Sequence, residues 1–288
     1  MGEGMTPRVA AIHDLSGFGR CSLTVAIPVL SAMGVQCCPM PTACFSTHTG
    51  GFTGYSFLDL TDELPRIAAH WAELELHFDA VYSGFMGSGA QMDIVADFVR
   101  TFRRDGSTVF VCDPVMGDHG KIYKTYTAEM CAGMTELAKR ADVITPNLTE
   151  AAVLLGEDYS FTAQRRDEAG CRETVERLSM DGARSVVLTG VSLEKGRIGA
   201  CLFDRASGRT EFVFDAFVGK EFHGTGDLFT SVLTGALVRG KPLREAVRLA
   251  EAFVRACAEH TMPQHIPARE GVDFEPLLWQ LHGMLEGK

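Results

Sequence analysis

Thr108-Val109-Phe110-Val111-Cys112-Asp113-Pro114-Val115-Met116-Gly117-Asp118 decides the fold of this chain. Its first half is β-branched and aromatic with no charge, the pattern of a strand, and its second half is a Gly/Pro loop carrying two carboxylates. Amphipathic stretches with helical spacing flank it, Met92–Arg103 before and Thr127–Arg140 after. A strand held between two helices joins its neighbours through crossovers rather than hairpins, which is the signature of a parallel sheet.

The same alternation runs outward in both directions. Toward the amino end the pattern predicts strands at Ala80–Tyr82, Val35–Met40 and Arg8–Ile12. Between them it predicts helices at Asp62–Leu76 and Ser22–Met33, the second kinked at Pro28. Toward the carboxyl end it predicts strands at Asp142–Ile144 and Ser185–Leu188, with helices at Thr149–Leu155 and Asp167–Met180. Ile198–Phe203 and Thr210–Phe214 read as an antiparallel pair across Ser207-Gly208, and helices follow at Asp227–Arg239 and Leu243–His260. The expected fold is α/β, one domain over residues 1–288, a three-layer sandwich with a mostly parallel central sheet and helices on both faces, with 1–7 as a disordered tail. Right-handed crossovers collect the loops that follow the strands along one edge, where open α/β sheets bind ligands.

Composition narrows the function classes. The chain has 288 residues, 46% of them hydrophobic, enough to bury a large core without staples. No apolar run approaches the ~20 residues that span a membrane, and the opening Met1–Pro7 shows no basic segment followed by an apolar one. A net charge of −10 with no Lys/Arg tract disfavours nucleic acid as a partner. The nine cysteines are odd in number and lack zinc-site spacing, so free thiols in a cytoplasmic protein are expected.

Four loops carry the chemistry. Gly224-Thr225-Gly226-Asp227 opens an apolar helix; two glycines there let the backbone approach a ligand, and the free amides with the helix dipole form an anion site. The alternative role for Asp227, in the first turn, is a cap on that helix. Asp113 and Asp118 offer hard oxygen ligands suited to Mg²⁺. Asn147 and Glu150, in Thr145-Pro146-Asn147-Leu148-Thr149-Glu150, fall one helical turn apart and also fit a capping box. Phe45-Ser46-Thr47-His48-Thr49-Gly50-Gly51-Phe52 sets hydroxyls and an imidazole beside aromatics, which suits a small polar aromatic ring. Gly17-Phe18-Gly19-Arg20-Cys21-Ser22 falls short of a dinucleotide loop, with Ser22 at the third glycine position and no acidic residue about twenty residues on. No P-loop sequence is present.

These motifs, in this order, resemble those of pyridoxal/pyridoxamine kinases of the ribokinase-like superfamily, and His13-Asp14-Leu15-Ser16-Gly17-Phe18-Gly19 looks most like the pyridoxamine kinase branch. The resemblance runs from Arg8 to about His260. It implies ATP-dependent phosphorylation of the 5′-hydroxymethyl group of a B6 vitamer, in pyridoxal 5′-phosphate salvage. By the same resemblance Asp227 is the base, and Gly224, Thr225 and Gly226 hold the transferring phosphate. Asp14, Ser16, His48 and Thr49 hold the pyridine ring. Asp113, Asp118, Asn147 and Glu150 surround the nucleotide phosphates and Mg²⁺, with Asp113, Asp118 and Glu150 as metal residues. Thr189 touches ATP, Tyr123 covers the phosphates, a monovalent cation such as K⁺ assists, and the enzyme is a homodimer.

Two departures touch the substrate pocket. His13-Asp14 stands where many pyridoxal kinases place a serine, and His223 stands where relatives often have Val or Lys. The alternatives are a hydroxymethylpyrimidine kinase of thiamine synthesis, in which Cys usually replaces Asp227, and a non-catalytic vitamer-binding module. The preferred vitamer and the oligomer interface are not legible in the sequence.

Overall fold

The computed structural model describes residues 5–103, 106–160 and 167–287. The elements are β1 (Arg8–Phe18), α1 (Ser22–Ala32), β2 (Gln36–Thr47), β3 (Phe57–Asp59), α2 (Leu64–Glu73), β4 (Ala80–Ser83) and α3 (Gly89–Phe102). Next come β5 (Val109–Cys112), a hairpin of β6 (Gly117–Asp118) and β7 (Lys121–Ile122), α4 (Ala128–Ala138), β8 (Val143–Ile144) and α5 (Leu148–Leu155). Then follow α6 (Glu168–Leu178), β9 (Ser185–Val191), β10 (Arg197–Asp204), β11 (Arg209–Ala216), α7 (Thr225–Val238), α8 (Leu243–Thr261) and α9 (Trp279–Glu286).

Nine strands form one sheet in the order β11-β10-β9-β8-β5-β4-β1-β2-β3. The six strands from β9 to β2 are parallel; β10 and β3 run against them, and β11, paired antiparallel with β10, closes the other edge. Alternation along a strand sends successive side chains to opposite faces. Val9 and Ala11 pack under α1, α7, α8 and α9, while Ala10 and Ile12 pack under α2 to α6. The two apolar cores on either side of the sheet make the expected three layers. Among the described residues no helix is long and apolar enough to cross a membrane.

Local chemistry sets the helix starts. Ser88, Thr127 and Asp167 each accept a backbone N–H at the amino ends of α3, α4 and α6. Pro28 lies inside α1 without ending it. Residues 1–4 of the expected tail lie outside the described residues, and Pro7 is tied down, its carbonyl accepting from Gln36 N at 2.8 Å.

Two strands run six or more residues past their predicted ends. β1 runs six residues past Ile12 and β2 seven past Met40, paired through Ser16 with Phe45 and Phe18 with Thr47. The polar residues read as loop are extended backbone whose side chains serve a site. β1 lies between β2 and β4, so successive connections leave it in opposite directions. That reversal opens a crevice at the carboxyl ends of β1 and β4, the switch point where such sheets bind ligands.

Candidate active site

Gly224 takes up the left-handed backbone that starts α7, with φ of 75°, and no side chain caps the helix. The first-turn amides therefore have no intrahelical partner and face outward. Asp227 does not cap them, which removes the capping alternative. Gly226 has ordinary backbone angles and open space around its Cα, so the conformational demand falls on Gly224.

Two cavities meet at this turn. The first, of ≈ 720 Å³, is lined by Asp14, Ser16, His48, Thr49, Phe52 and Tyr55 together with Gly224 and Asp227. The second, of ≈ 440 Å³, is lined by Asp118, Asn147, Thr149 and Thr189 together with Thr225 and Gly226. The two outer residues of this turn, Gly224 and Asp227, thus face one chamber, and the two between them, Thr225 and Gly226, face the other. Tyr123, expected over the phosphates, lines the first cavity rather than the second.

In the first cavity the carboxylate of Asp14 accepts from Ser16 Oγ and Ser22 Oγ, each at 2.7 Å. Burial raises its pKa, and those two hydroxyls hold it back. Ser22 also donates its backbone amide to Asp227. Burial, opposed by that hydrogen bond and reinforced by the charge of Asp14, lifts Asp227 to about 7. At neutral pH it is a stronger base than an ordinary aspartate, contrary to what the sequence alone suggests.

His48 is committed on both sides. Its Nδ1 accepts from Gly50 N at 3.0 Å, so Nε2 carries the proton and donates to the Arg269 carbonyl at 2.6 Å. Burial lowers its pKa, consistent with a neutral ring. The Arg269 carbonyl belongs to a strap over residues 266–271 that ties three loops together. Arg20 N donates to Glu270 O, His223 N to Ala268 O and Lys220 Nζ to Ile266 O, at 3.2, 3.0 and 2.9 Å. The Arg269 guanidinium lies 4.8 Å from the centre of the Phe52 ring. None of these strap contacts carried a signal in the sequence.

His223 lines the first cavity beside Gly224, its ring 5.6 Å from that of His48. His13 is fully buried below the cavity and edge-on to Tyr82 at 4.2 Å, and burial lowers its pKa to about 3. Of the His13-Asp14 departure, only Asp14 reaches the cavity.

Around the second cavity, Asn147 and Glu150 form a complete capping box on α5. Glu150 Oε1 also accepts from Met116 N at 3.1 Å, and Asn147 Nδ2 donates to Gly117 O at 2.9 Å. The pair therefore fastens the Asp113–Asp118 loop to α5. Asn147 reaches the cavity, while Glu150 and Asp113 lie buried behind its wall. Thr189 is anchored by its amide to Pro146 O at 2.9 Å. Asp118 is exposed, beside His119, which pairs with Glu221 at 2.9 Å.

Asp113, Glu150 and Asp227 form no ion pair with any described residue. Burial raises the pKa of Asp113, with the charge of Asp227 adding to it, and burial with the charge of Asp113 raises that of Glu150. This unneutralised acidity suits a cation. Among the described residues no three acidic, His or Cys side chains converge as a metal site. The donor set fits an ion held mainly by nucleotide phosphates and water, as Mg²⁺ commonly is.

The sequence profile of the family described as phosphomethylpyrimidine kinase matches residues 26–268. The fold superposes with a TM-score of 0.90 on a Bacteroides thetaiotaomicron protein provisionally assigned as a phosphomethylpyrimidine kinase, 42% identical over 98% of this chain and 96% of that one. That protein has also been crystallised in a form with pyridoxal. Pyridoxal kinase from Lactobacillus plantarum is 30% identical, with a TM-score of 0.87 and coverage of 98% and 99%. The bifunctional thiamine biosynthesis protein ThiED of Geobacter sulfurreducens is 28% identical over 94% of this chain, which spans 54% of that protein's length. A Caenorhabditis elegans relative named for pyridoxal kinase is likewise matched over only 48% of its length. The chain has the ribokinase-like fold and belongs to the phosphomethylpyrimidine kinase family.

Proposed function

We propose that this enzyme transfers the γ-phosphoryl group of ATP to the 5′-hydroxymethyl group of a B6 vitamer. The observation that carries the reading is the shared turn: Asp227 faces a cavity with aromatic and hydroxyl walls, while Thr225 and Gly226 face the other. An acceptor alcohol in the first cavity and a triphosphate in the second would meet across Gly226.

Phosphoryl transfer has a loose transition state, so the protein mainly positions the groups and offsets spreading charge. Asp14, Ser16, His48 and Thr49 hold the pyridine ring. Asp227 orients the acceptor hydroxyl and takes its proton as the O–P bond forms and ADP leaves. The first-turn amides of α7 receive the charge on the transferring group. Asn147, Thr189 and Thr225 bind the nucleotide, with Asp118 at its mouth. Mg²⁺, near Asp113 and Asp118, would neutralise the phosphates when bound with ATP.

Two features support a vitamer over a pyrimidine. Asp, rather than Cys, stands at 227, and a 42% identical relative was crystallised with pyridoxal. The family description keeps hydroxymethylpyrimidine as the second reading. The test is ADP release with pyridoxal, pyridoxine, pyridoxamine and hydroxymethylpyrimidine as acceptors. The expected result is a higher kcat/KM for a vitamer; the reverse order assigns the enzyme to the pyrimidine. No release above the acceptor-free blank would leave only a binding module.

A further inference from the structure

Ser22 stands at a φ of 49°, in the left-handed region that a serine rarely adopts. It is also the residue on which two carboxylates of the first cavity meet. Its Oγ donates to Asp14 at 2.7 Å and its amide donates to Asp227. Backbone in such a conformation persists only where its surroundings over-determine it.

The turn that delivers Ser22 runs from Gly19 to Cys21, between β1 and α1. Arg20, at its centre, is anchored from three directions. Its amide donates to Glu270 O at 3.2 Å, and its carbonyl oxygen faces Gly224. Its guanidinium spans two acids beyond the strap: Nε donates to both carboxylate oxygens of Glu275, at 2.9 and 2.8 Å, and Nη2 to Asp273 Oδ1 at 2.8 Å. Asp273 is fixed in turn to the end of α8, its amide on Thr261 Oγ1 at 2.8 Å and its Oδ2 accepting from Gln264 at 2.9 Å. A planar guanidinium held by two acids has its orientation set as one acid could not set it.

We infer that Arg20 is a positioning residue for phosphoryl transfer: by clamping the β1–α1 turn to the segment after α8, it holds the Ser22 amide on Asp227. The inference rests on the reading of Asp227 as the base of the reaction. Arg20 lines neither cavity, so it acts through Ser22.

The consequence has a sign. The Ser22 amide favours the ionised form of Asp227, so losing it raises the pKa of the base. Asp227 is faced by Asp14 from β1, Cys21 from the turn, Tyr82 from β4, Asp113 from the end of β5 and Tyr123 from the segment between β7 and α4, and it shares its cavity with His223. None of these pairs with Arg20. A through-space effect of charge is separable from the clamp. Removing the cation of Arg20 would raise the pKa of Asp227 and removing the anion of Glu275 would lower it, whereas loosening the clamp raises it in both cases.

The test is kcat/KM against pH, with ATP and the acceptor that gives the fastest ADP release, for the unsubstituted enzyme, Arg20→Ala, Arg20→Lys and Glu275→Ala, with Tm and far-UV spectra for each. Arg20→Ala should move the acid limb about one pH unit toward alkali, the worth of one hydrogen bond to a charged group, with little change in KM for ATP. Glu275→Ala should move it in the same direction by less, and Arg20→Lys, which keeps the charge without the fork, should fall between the unsubstituted enzyme and Arg20→Ala. Should Arg20→Ala fail to fold, the other two variants still read the clamp. An unmoved limb in folded variants makes the clamp purely structural and overturns the inference while leaving Asp227 as the base. Shifts of opposite sign in the Arg20 and Glu275 variants assign the effect to charge and also overturn it. A flat profile in the unsubstituted enzyme removes Asp227 as the base, and the inference with it.

Discussion

The carbonyl oxygen of Arg20 fills the space that a Cβ on Gly224 would occupy. The turn that separates the two cavities is therefore pressed against the β1–α1 loop, whose Ser22 serves both Asp14 and Asp227. Gly224 is needed for its fit and for its φ of 75°, whereas a Cβ on Gly226 would meet open space. Gly224→Ala should cost at least ~2 kcal/mol of stability and lose turnover. Gly226→Val should fold with a nearly unchanged Tm, keep vitamer binding, and lose roughly 10²-fold or more in kcat by crowding the anion site. Thermal melts, calorimetry and turnover on the same preparations separate the two; equal Tm losses would make both glycines structural.

Asp227→Asn should lower kcat by ~10²–10⁴ with little change in ATP affinity. In the unsubstituted enzyme the base is lost as pH falls through about 7, so kcat/KM should decline on the acid side of neutrality. That limb should vanish in the Asn variant's residual activity. A flat profile from pH 5 to pH 8 in the unsubstituted enzyme would mean that Asp227 does not act as the base.

Asp113 gives a stability test. Its pKa is raised in the folded chain to about 8, so folding takes up a proton between about pH 4 and pH 8; this contribution is fully present below about pH 4, falls progressively across that window and is gone above about pH 8. The ligand-free protein should melt at progressively lower temperature as pH rises, and Asp113→Asn should flatten that slope and raise Tm in alkali. Melting curves across the pH range check it; an unaltered slope would show that Asp113 is not the group responsible.

All nine cysteines are free, and five are buried in the cores. Burial raises thiol pKa values at Cys112 and Cys257, among others, so native labelling should be slow. Titration in denaturant without reductant should count about nine thiols, and added reductant should leave Tm unchanged because no closed loop is lost. A count near one would reverse the reading.

The mostly parallel sheet and the helix placement were readable because the sequence changes period cleanly, as between Val109–Cys112 and the helices around it. The carboxyl halves of β1 and β2 were not, because Asp14, Ser16, Ser46 and Thr47 look like loop residues when only side-chain polarity is weighed. Their extended backbone follows from pairing between strands about thirty residues apart, which no local window contains. Two residues that line the second cavity, Asn147 and Thr225, stood out as motifs. The raised pKa of Asp227 was hidden for a different reason: it comes mainly from burial in the folded chain, with the charge of Asp14, more than two hundred residues away, adding to it.

The strap at residues 266–271 also bears on how the protein is made. Every strand of the sheet has left the ribosome's active site by Ala216, whereas the strap that joins the loops at Arg20, His48 and His223 has not yet been synthesised. At typical translation rates the interval is roughly 3–10 s. During that time a nascent chain can hold a nearly complete sheet while the first cavity lacks its last fastening. Competence to retain a small ligand should thus lag behind compactness during biosynthesis, and a ribosome stalled between Ala216 and Ile266 would display a chain with an unclasped pocket.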